Sequence, residues 1–412
     1  MLLAISDLHL DDGTIGKSLS ADAFHIFRER VEHLAYAASL RADGTYRPLE
    51  SIDLLLLGDI FELIHSSLWL KEKPGQAGFA RPWMSPSSPE LAQKIQEITL
   101  AILAHNRQAL EVFKGMARGE SITLPPADVH GRPALGASER LPVKVNIYYM
   151  VGNHDWFYHL PGETYRHIRR LVIDAMGLVN PPAPIPYEPD EWDTLAGMFE
   201  KYRIFARHGD IYDRWSYNNE LGRDAATLGD ALAVELINRF PQELEQNLGN
   251  ALPNHFYRGL HEMVNVRPNV AVPLWIGGQL RYFGVVEKLE ASLKAIWNEL
   301  VAEFLRLDFV RGQESRWNPF GNMDMLALVL KLTRWTSIEN FNRVILLIKK
   351  RLFRNDVSFT RQALKEAAFT SRQVDYIVYG HTHHHEIIPL DSYHHQGKEN
   401  FQFLVNTGTW RS

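Results

Sequence analysis

Residues 52–59 read Ile-Asp-Leu-Leu-Leu-Leu-Gly-Asp. Five apolar residues around one Asp, halted by Gly58-Asp59, have the length and continuity of a strand buried on both faces. The same design recurs along the chain. Residues 2–6 run apolar into Asp7-Leu8-His9, and Val143–Val151 ends in Gly152-Asn153-His154-Asp155. Residues 202–207 end in His208-Gly209-Asp210, and Asp375–Tyr379 ends in Gly380-His381-Thr382-His383. Further strand-like runs cover 385–390 and 401–405. Between the strands the apolar spacing becomes helical. Phe24, Phe27, Val31, Leu34 and Ala38 predict a helix over 20–40 with Ser20 as its N-cap. Helices are also expected near 90–118 and 163–177, and Pro-rich loops over 74–89, 119–142 and 180–189. Strands alternating with helices predict a layered α/β core.

The alternation stops between Tyr212 and Thr370. This stretch reads as mostly helical, with helices expected near 228–240, 285–309, 323–335 and 337–354, and it is too long for a structureless loop. The expected organisation is a core of 1–211 and 371–412 interrupted by a helical insertion, 212–370, that acts as a lid or cap. Charge divides the insertion. Residues 331–370 carry nine Lys+Arg against three Asp+Glu, whereas 212–330 carry 11 against 15. In the basic part, Ile338, Phe341, Ile345, Ile348 and Leu352 follow helical spacing beside Lys349, Lys350, Arg351 and Arg354. That face is expected to be solvated, to offer cations to an anionic substrate, or to lie on a membrane surface.

Composition narrows the chemistry. The 412 residues include no Cys, which excludes disulfides, zinc–thiolate sites and Cys nucleophiles, and 18 His, six of them between His381 and His395. The net charge of −5 gives no push toward nucleic acid or acidic lipid. No run of about 20 apolar residues is present to span a membrane. Met1–Ser6 leads directly into Asp7 with no charged leader or apolar signal region, so a cytoplasmic location is expected. Oligomeric state stays open.

The polar residues of the core collect at strand ends, where open α/β sheets bind their ligands. Counted as ligands they are Asp7, His9, Asp59, Asn153, His208, His381 and His383. Seven donors exceed one tetrahedral ion and suit two ions sharing a carboxylate. Mixed imidazole and carboxylate ligation favours transition metals over Ca. A pair of such ions can clamp both oxygens of a displacement at phosphorus.

Taken in order, Asp7-x-His9, Gly58-Asp59, Gly152-Asn153-His154-Asp155, His208 and Gly380-His381-Thr382-His383 resemble the calcineurin-like metallophosphoesterase family. The resemblance covers about 1–211 and 371–412. It implies a two-sheet β-sandwich flanked by helices, with two divalent or trivalent transition-metal ions at its edge. Mn is favoured, with Fe, Zn, Co or Ni as alternatives. It implies that Asp7, His9, Asp59 and His383 hold one ion, that Asp59, Asn153, His208 and His381 hold the other, and that a metal-bridging water is the nucleophile. His154 would then stabilise the transition state or protonate the leaving oxygen, oriented by Glu62, with Asp155 just behind the ligands. Leu63 stands where the protein-phosphatase branch carries a phosphate-gripping Arg, which argues against a phosphoprotein substrate. Ile5–Leu10, Gly58–Glu62 and His208–Asp210 are loosely similar to UDP-2,3-diacylglucosamine pyrophosphatases, although the sequence after Asp210 and the length of the insertion differ.

The resemblance therefore implies hydrolysis of an anionic phosphodiester, pyrophosphate or phosphomonoester. A nuclease is the alternative, not favoured in an acidic chain, and a catalytically silent binding protein on the same fold is a third reading. His384, His385, His394 and His395 are read as lying on a solvated loop or accessory surface, with substrate contact or a third metal as the alternative. Asp210 is read either as orienting a ligand or as a turn former. Asn406–Trp410 is read as a turn with an aromatic plug beneath the site or as a substrate contact.

Overall fold

The computed structural model describes residues 1–213, 215–218, 220–252, 254–266, 272–282, 287–312, 358–395 and 398–411. The helices expected at 323–335 and 337–354 lie outside these residues, as do Trp317, Trp335 and most of the basic stretch. The chain is a mixed α/β protein.

The opening stretch forms β2 (Ser51–Leu57), the central strand of a parallel three-stranded sheet between β1 (Leu2–Ile5) and β5 (Lys144–Met150), while the short β3 (Thr123–Leu124) and β4 (Leu141–Pro142) pair with each other. Its apolar run serves both faces. Ile52, Leu54 and Leu56 pack with apolar residues of α1 (Ala21–Ser39), α2 (Pro89–His105), α3 (Arg107–Ala117) and α4 (Glu163–Met176). Leu55 and Leu57 point the other way and meet Ile204, Ala206 and Val378 of a second sheet. That sheet has the order β6 (Ile204–Ala206), β7 (Tyr376–Tyr379), β9 (Lys398–Thr407), β8 (His385–His395), with only the β8–β9 pair antiparallel. Its far face places Ile377, Tyr379 and Leu404 against Phe359 and Phe369. The layers are therefore helices, sheet, sheet, helices.

Several elements differ from the sequence reading. The helix expected over 90–118 breaks at Asn106, whose Nδ2 donates to Asp11 O and Ile102 O, leaving two helices. β8 runs beyond 390 to His395 through a bulge between Pro389 and Asp391; Pro has no N–H for the ladder. A helix at Asp193–Tyr202 fills the space between the sheets with Leu195, Met198 and Phe199. Its i, i+3, i+4 spacing was readable, but the preceding Pro-rich loop obscured it.

The inserted helices have an apolar cluster of their own, including Leu236, Phe240, Leu244, Phe256, Trp297 and Val301, which also takes in Ile15 of the core. Ala233 and Val234 belong instead to the main core. The helix expected at 228–240 continues through a π-helical stretch, Ala233–Asn238, to Leu248. Among the described residues no helix is long and apolar enough to cross a membrane.

Candidate metal centre

The loops after β1, β2, β5, β6 and β7 bring the strand-end residues together. Asp7, His9 and His383 form one group of potential metal ligands; Asp59, His208 and His381 form a second, and their ligand atoms lie within 4.8 Å of one another in each group. His9, Asp59 and His154 form a third group, so Asp59 connects both sides. Its Oδ2 lies 3.8 Å from His9 Nε2 and 3.2 Å from His208 Nε2. Asp7 Oδ1 lies 3.3 Å from His383 Nε2. Several buried groups here can hold metal ions.

The backbone is strained where these side chains converge. Among the described residues, Asp7, His9, Asp59, His381 and His383 all have positive φ, between 47° and 67°. Left-handed backbone costs a non-glycine residue roughly 1–2 kcal/mol, and such strain clusters at functional sites. The neighbouring glycines permit the close approach. A Cβ on Gly58 (φ 81°) would come within 2.5 Å of His208 Nδ1, and one on Gly380 within 2.7 Å of Asp7 Oδ2.

The hydrogen bonds set which imidazole nitrogen faces inward. His9 Nδ1 donates to Glu62 Oε2 at 2.8 Å, and His154 Nδ1 donates to Glu62 Oε1 at 2.8 Å. His208 Nδ1 donates to the Leu57 carbonyl at 2.9 Å. Each ring therefore turns Nε2 inward, the arrangement in which outer partners orient metal-binding histidines. His9 Nε2 and His383 Nε2 face each other at 3.1 Å; two ring nitrogens hold that distance by sharing a proton or a cation.

Three candidate ligand atoms, Asp7 Oδ1, Asn153 Oδ1 and His208 Nε2, are buried and accept or donate no hydrogen bond. His208 Nε2 lies 3.2 Å from Asp59 Oδ2, a charge contact when the ring is protonated. Buried polar atoms are almost always satisfied, so orphans on three neighbouring strand-end loops fit a site built around cations. The electrostatics agree. Burial pushes the His208 imidazole down, yet the Asp59 charge beside it wins and raises its pKa to about 10. Burial also opposes ionisation of Asp7 and Asp59, but their histidine neighbours hold both carboxyls below the ordinary value. The negative field that raises the His208 pKa also attracts a metal cation, which would have to displace that proton.

Asp155 lies behind the ligands. Its Oδ2 accepts from Ile60 N and from Tyr149 OH, and its Oδ1 accepts from Gly152 N. Burial and the Asp59 charge raise its pKa to about 6. It braces the loops of β2 and β5. Leu63 is fully buried in the core. Asp210 pairs with Arg223 at 2.8 Å and touches no candidate ligand by hydrogen bond. The Asn406–Trp410 segment lies beneath the site: Thr409 Oγ1 donates to Asp7 O, and Trp410 packs on Phe24 and Phe27. His384, His385 and His394 are exposed and belong to none of the potential ligand groups; the side chain of His395 lies outside the described residues.

Sequence reading missed three polar neighbours. Asp213 Oδ2 sits 3.2 Å from His381 Nε2. His65 groups with Glu62 and His154. Asn238, from the insertion, bonds to His65. Asp213 and His65 lie within a few residues of recognised motifs and were findable by proximity, whereas nothing local marks Asn238.

No family model, no curated protein and no solved structure matches this chain.

Proposed function

We propose that the chain is a metal-dependent phosphoesterase of the calcineurin-like kind, hydrolysing a phosphodiester, pyrophosphate or phosphomonoester. The observation that carries this reading is the set of buried ligand atoms without a hydrogen bond on Asp7, Asn153 and His208, together with the clustering of Asp7, His9 and His383 and of Asp59, His208 and His381. In this reading Asp7, His9, Asp59 and His383 would hold one ion, and Asp59, Asn153, His208 and His381 the other. Bound there, two transition-metal ions would supply Lewis acidity and an activated water.

The chain's own residues supply the rest. Glu62 is buried; burial raises its carboxyl, but the neighbouring His154 and His65 hold it well below the ordinary range, so it stays anionic. It orients His9 and His154 at once, one oxygen to each. His154 Nε2 is thereby turned toward the ligand cluster, 4.0 Å from Asp59 Oδ2. There it can donate a proton to a leaving oxygen or stabilise charge on the phosphoryl group.

The test is turnover of bis-p-nitrophenyl phosphate and p-nitrophenyl phosphate with Mn, Fe, Zn, Co or Ni added, and again after chelation. Metal-dependent hydrolysis abolished by the chelator is expected. Absence of turnover with every metal and ester would sink the proposal.

A further inference from the structure

We infer that Asn238, on the inserted helices, is a positioning residue for this reaction: it fixes His65 and the loop carrying Glu62 against His154. The inference rests on the phosphoesterase reading for its kinetic consequence, though not for its geometry.

Asn238 is fully buried and ends the π-helical stretch Ala233–Asn238. π turns inside α-helices are rare and occur mostly at functional positions. This one brings two polar side chains onto the core. Glu235 Oε1 accepts from Arg81 Nε at 2.6 Å, which anchors the helix to the loop before α2. Asn238 uses both ends of its amide on a single loop: Nδ2 donates to Ile64 O at 2.9 Å, and Oδ1 faces His65 Nδ1 at 2.8 Å.

Those two bonds settle each other. A carbonyl can only accept, so the amide nitrogen faces Ile64 and the amide oxygen faces His65. An amide oxygen can only accept, so His65 Nδ1 carries a proton. His65 is itself buried, and its backbone N–H donates to Glu62 Oε1 at 2.9 Å. That same oxygen receives Nδ1–H of His154 at 2.8 Å. The His65 and His154 ring centroids lie 5.7 Å apart. A continuous chain of short bonds thus runs from Asn238 through His65 and Glu62 to His154. The inserted helices complete the support of the proton-handling histidine rather than merely covering it.

The test compares Asn238→Ala and Asn238→Asp with the wild type, Mn-loaded, on bis-p-nitrophenyl phosphate. The Ala variant is expected to lose about 10- to 100-fold in kcat, the usual effect of removing an outer-shell partner, with KM and metal stoichiometry unchanged. Asp keeps an acceptor for His65 Nδ1–H and should recover part of the loss. Independently of turnover, ¹⁵N NMR of histidine-labelled protein should show His65 as the Nδ1–H tautomer in the wild type and a mixture in Asn238→Ala. The inference is overturned by unchanged kcat in folded Asn238→Ala, by metal lost together with kcat, by equal losses in both variants, or by an Nε2–H His65 in the wild type. A wild type inactive on every phosphate ester sinks the phosphoesterase reading instead, and the tautomer comparison then decides alone whether Asn238 sets His65.

Discussion

At the scale of single residues, the proposed division of labour around Asp59 would separate ligands from acid–base groups. His154 sits in contact range of Asp59 yet spends its Nδ1–H on Glu62. His154→Ala should therefore leave two ions bound while turnover falls by roughly 10²–10⁴. Metal content by mass spectrometry beside steady-state kinetics checks this, and loss of an ion would make His154 a ligand instead. Gly152 offers a contrasting test. A Cβ there would run into the Asp59 carboxylate and within 2.7 Å of the His208 ring, both of which are buried. Gly152→Ala should release metal and cost roughly 1–3 kcal/mol of stability, as overpacking does. Retention of both ions would show that the loop can yield without disturbing them.

At the scale of elements, Asp53 explains why the strand that opens the reading is not wholly apolar. Its carboxylate accepts from Lys201 Nζ at 2.9 Å and Tyr202 OH at 2.7 Å, and from Asn146 Nδ2 at 3.0 Å on the neighbouring strand. It thereby ties β2 to the helix Asp193–Tyr202. Burial raises the Asp53 carboxyl, but the bonds from Tyr202, Asn146 and Lys201 outweigh it and leave the pKa below the ordinary 3.8. A folded pKa below the unfolded one means that the stabilisation is full above about pH 4 and lost as pH falls through the folded value. Lys201 is largely exposed, which weakens its share. Asp53→Asn should then cost about 1 kcal/mol at pH 7, with the difference shrinking in acid; a difference independent of pH would show that charge plays no part. The strands and their ends were legible because chemistry concentrates where parallel strands stop, and Gly58-Asp59 and Gly380-His381 announce themselves locally. The left-handed backbone of Asp7 and His9 was not legible, since their residue types permit it without requiring it. Asn238 was illegible for a different reason: its partners, Ile64 and His65, are brought close only by the packing of the inserted helices.

At the scale of the whole molecule, a metal bound at this site would be coupled to folding. Asp7, Asp59, Glu62 and Asp155 are all buried within one set of loops. The raised pKa of His208 shows how strongly this field seeks positive charge. Five residues also hold left-handed backbone there, a cost that the rest of the fold must offset. An ion that binds only the folded chain stabilises it by RT ln(1 + [L]/Kd), about 2.7 kcal/mol at a hundredfold excess over Kd. For a chain of this size each kcal/mol moves Tm by roughly 2–4 °C or less. Titrating the chelated protein with Mn should therefore raise Tm by several degrees, and Asp59→Asn, which removes the shared carboxylate charge, should abolish most of the rise. The comparison also separates specific binding from a general salt effect, because exposed acidic groups elsewhere remain intact in the variant. If Mn, Fe, Zn, Co and Ni all left Tm unmoved, the buried orphan atoms would need a non-metal explanation.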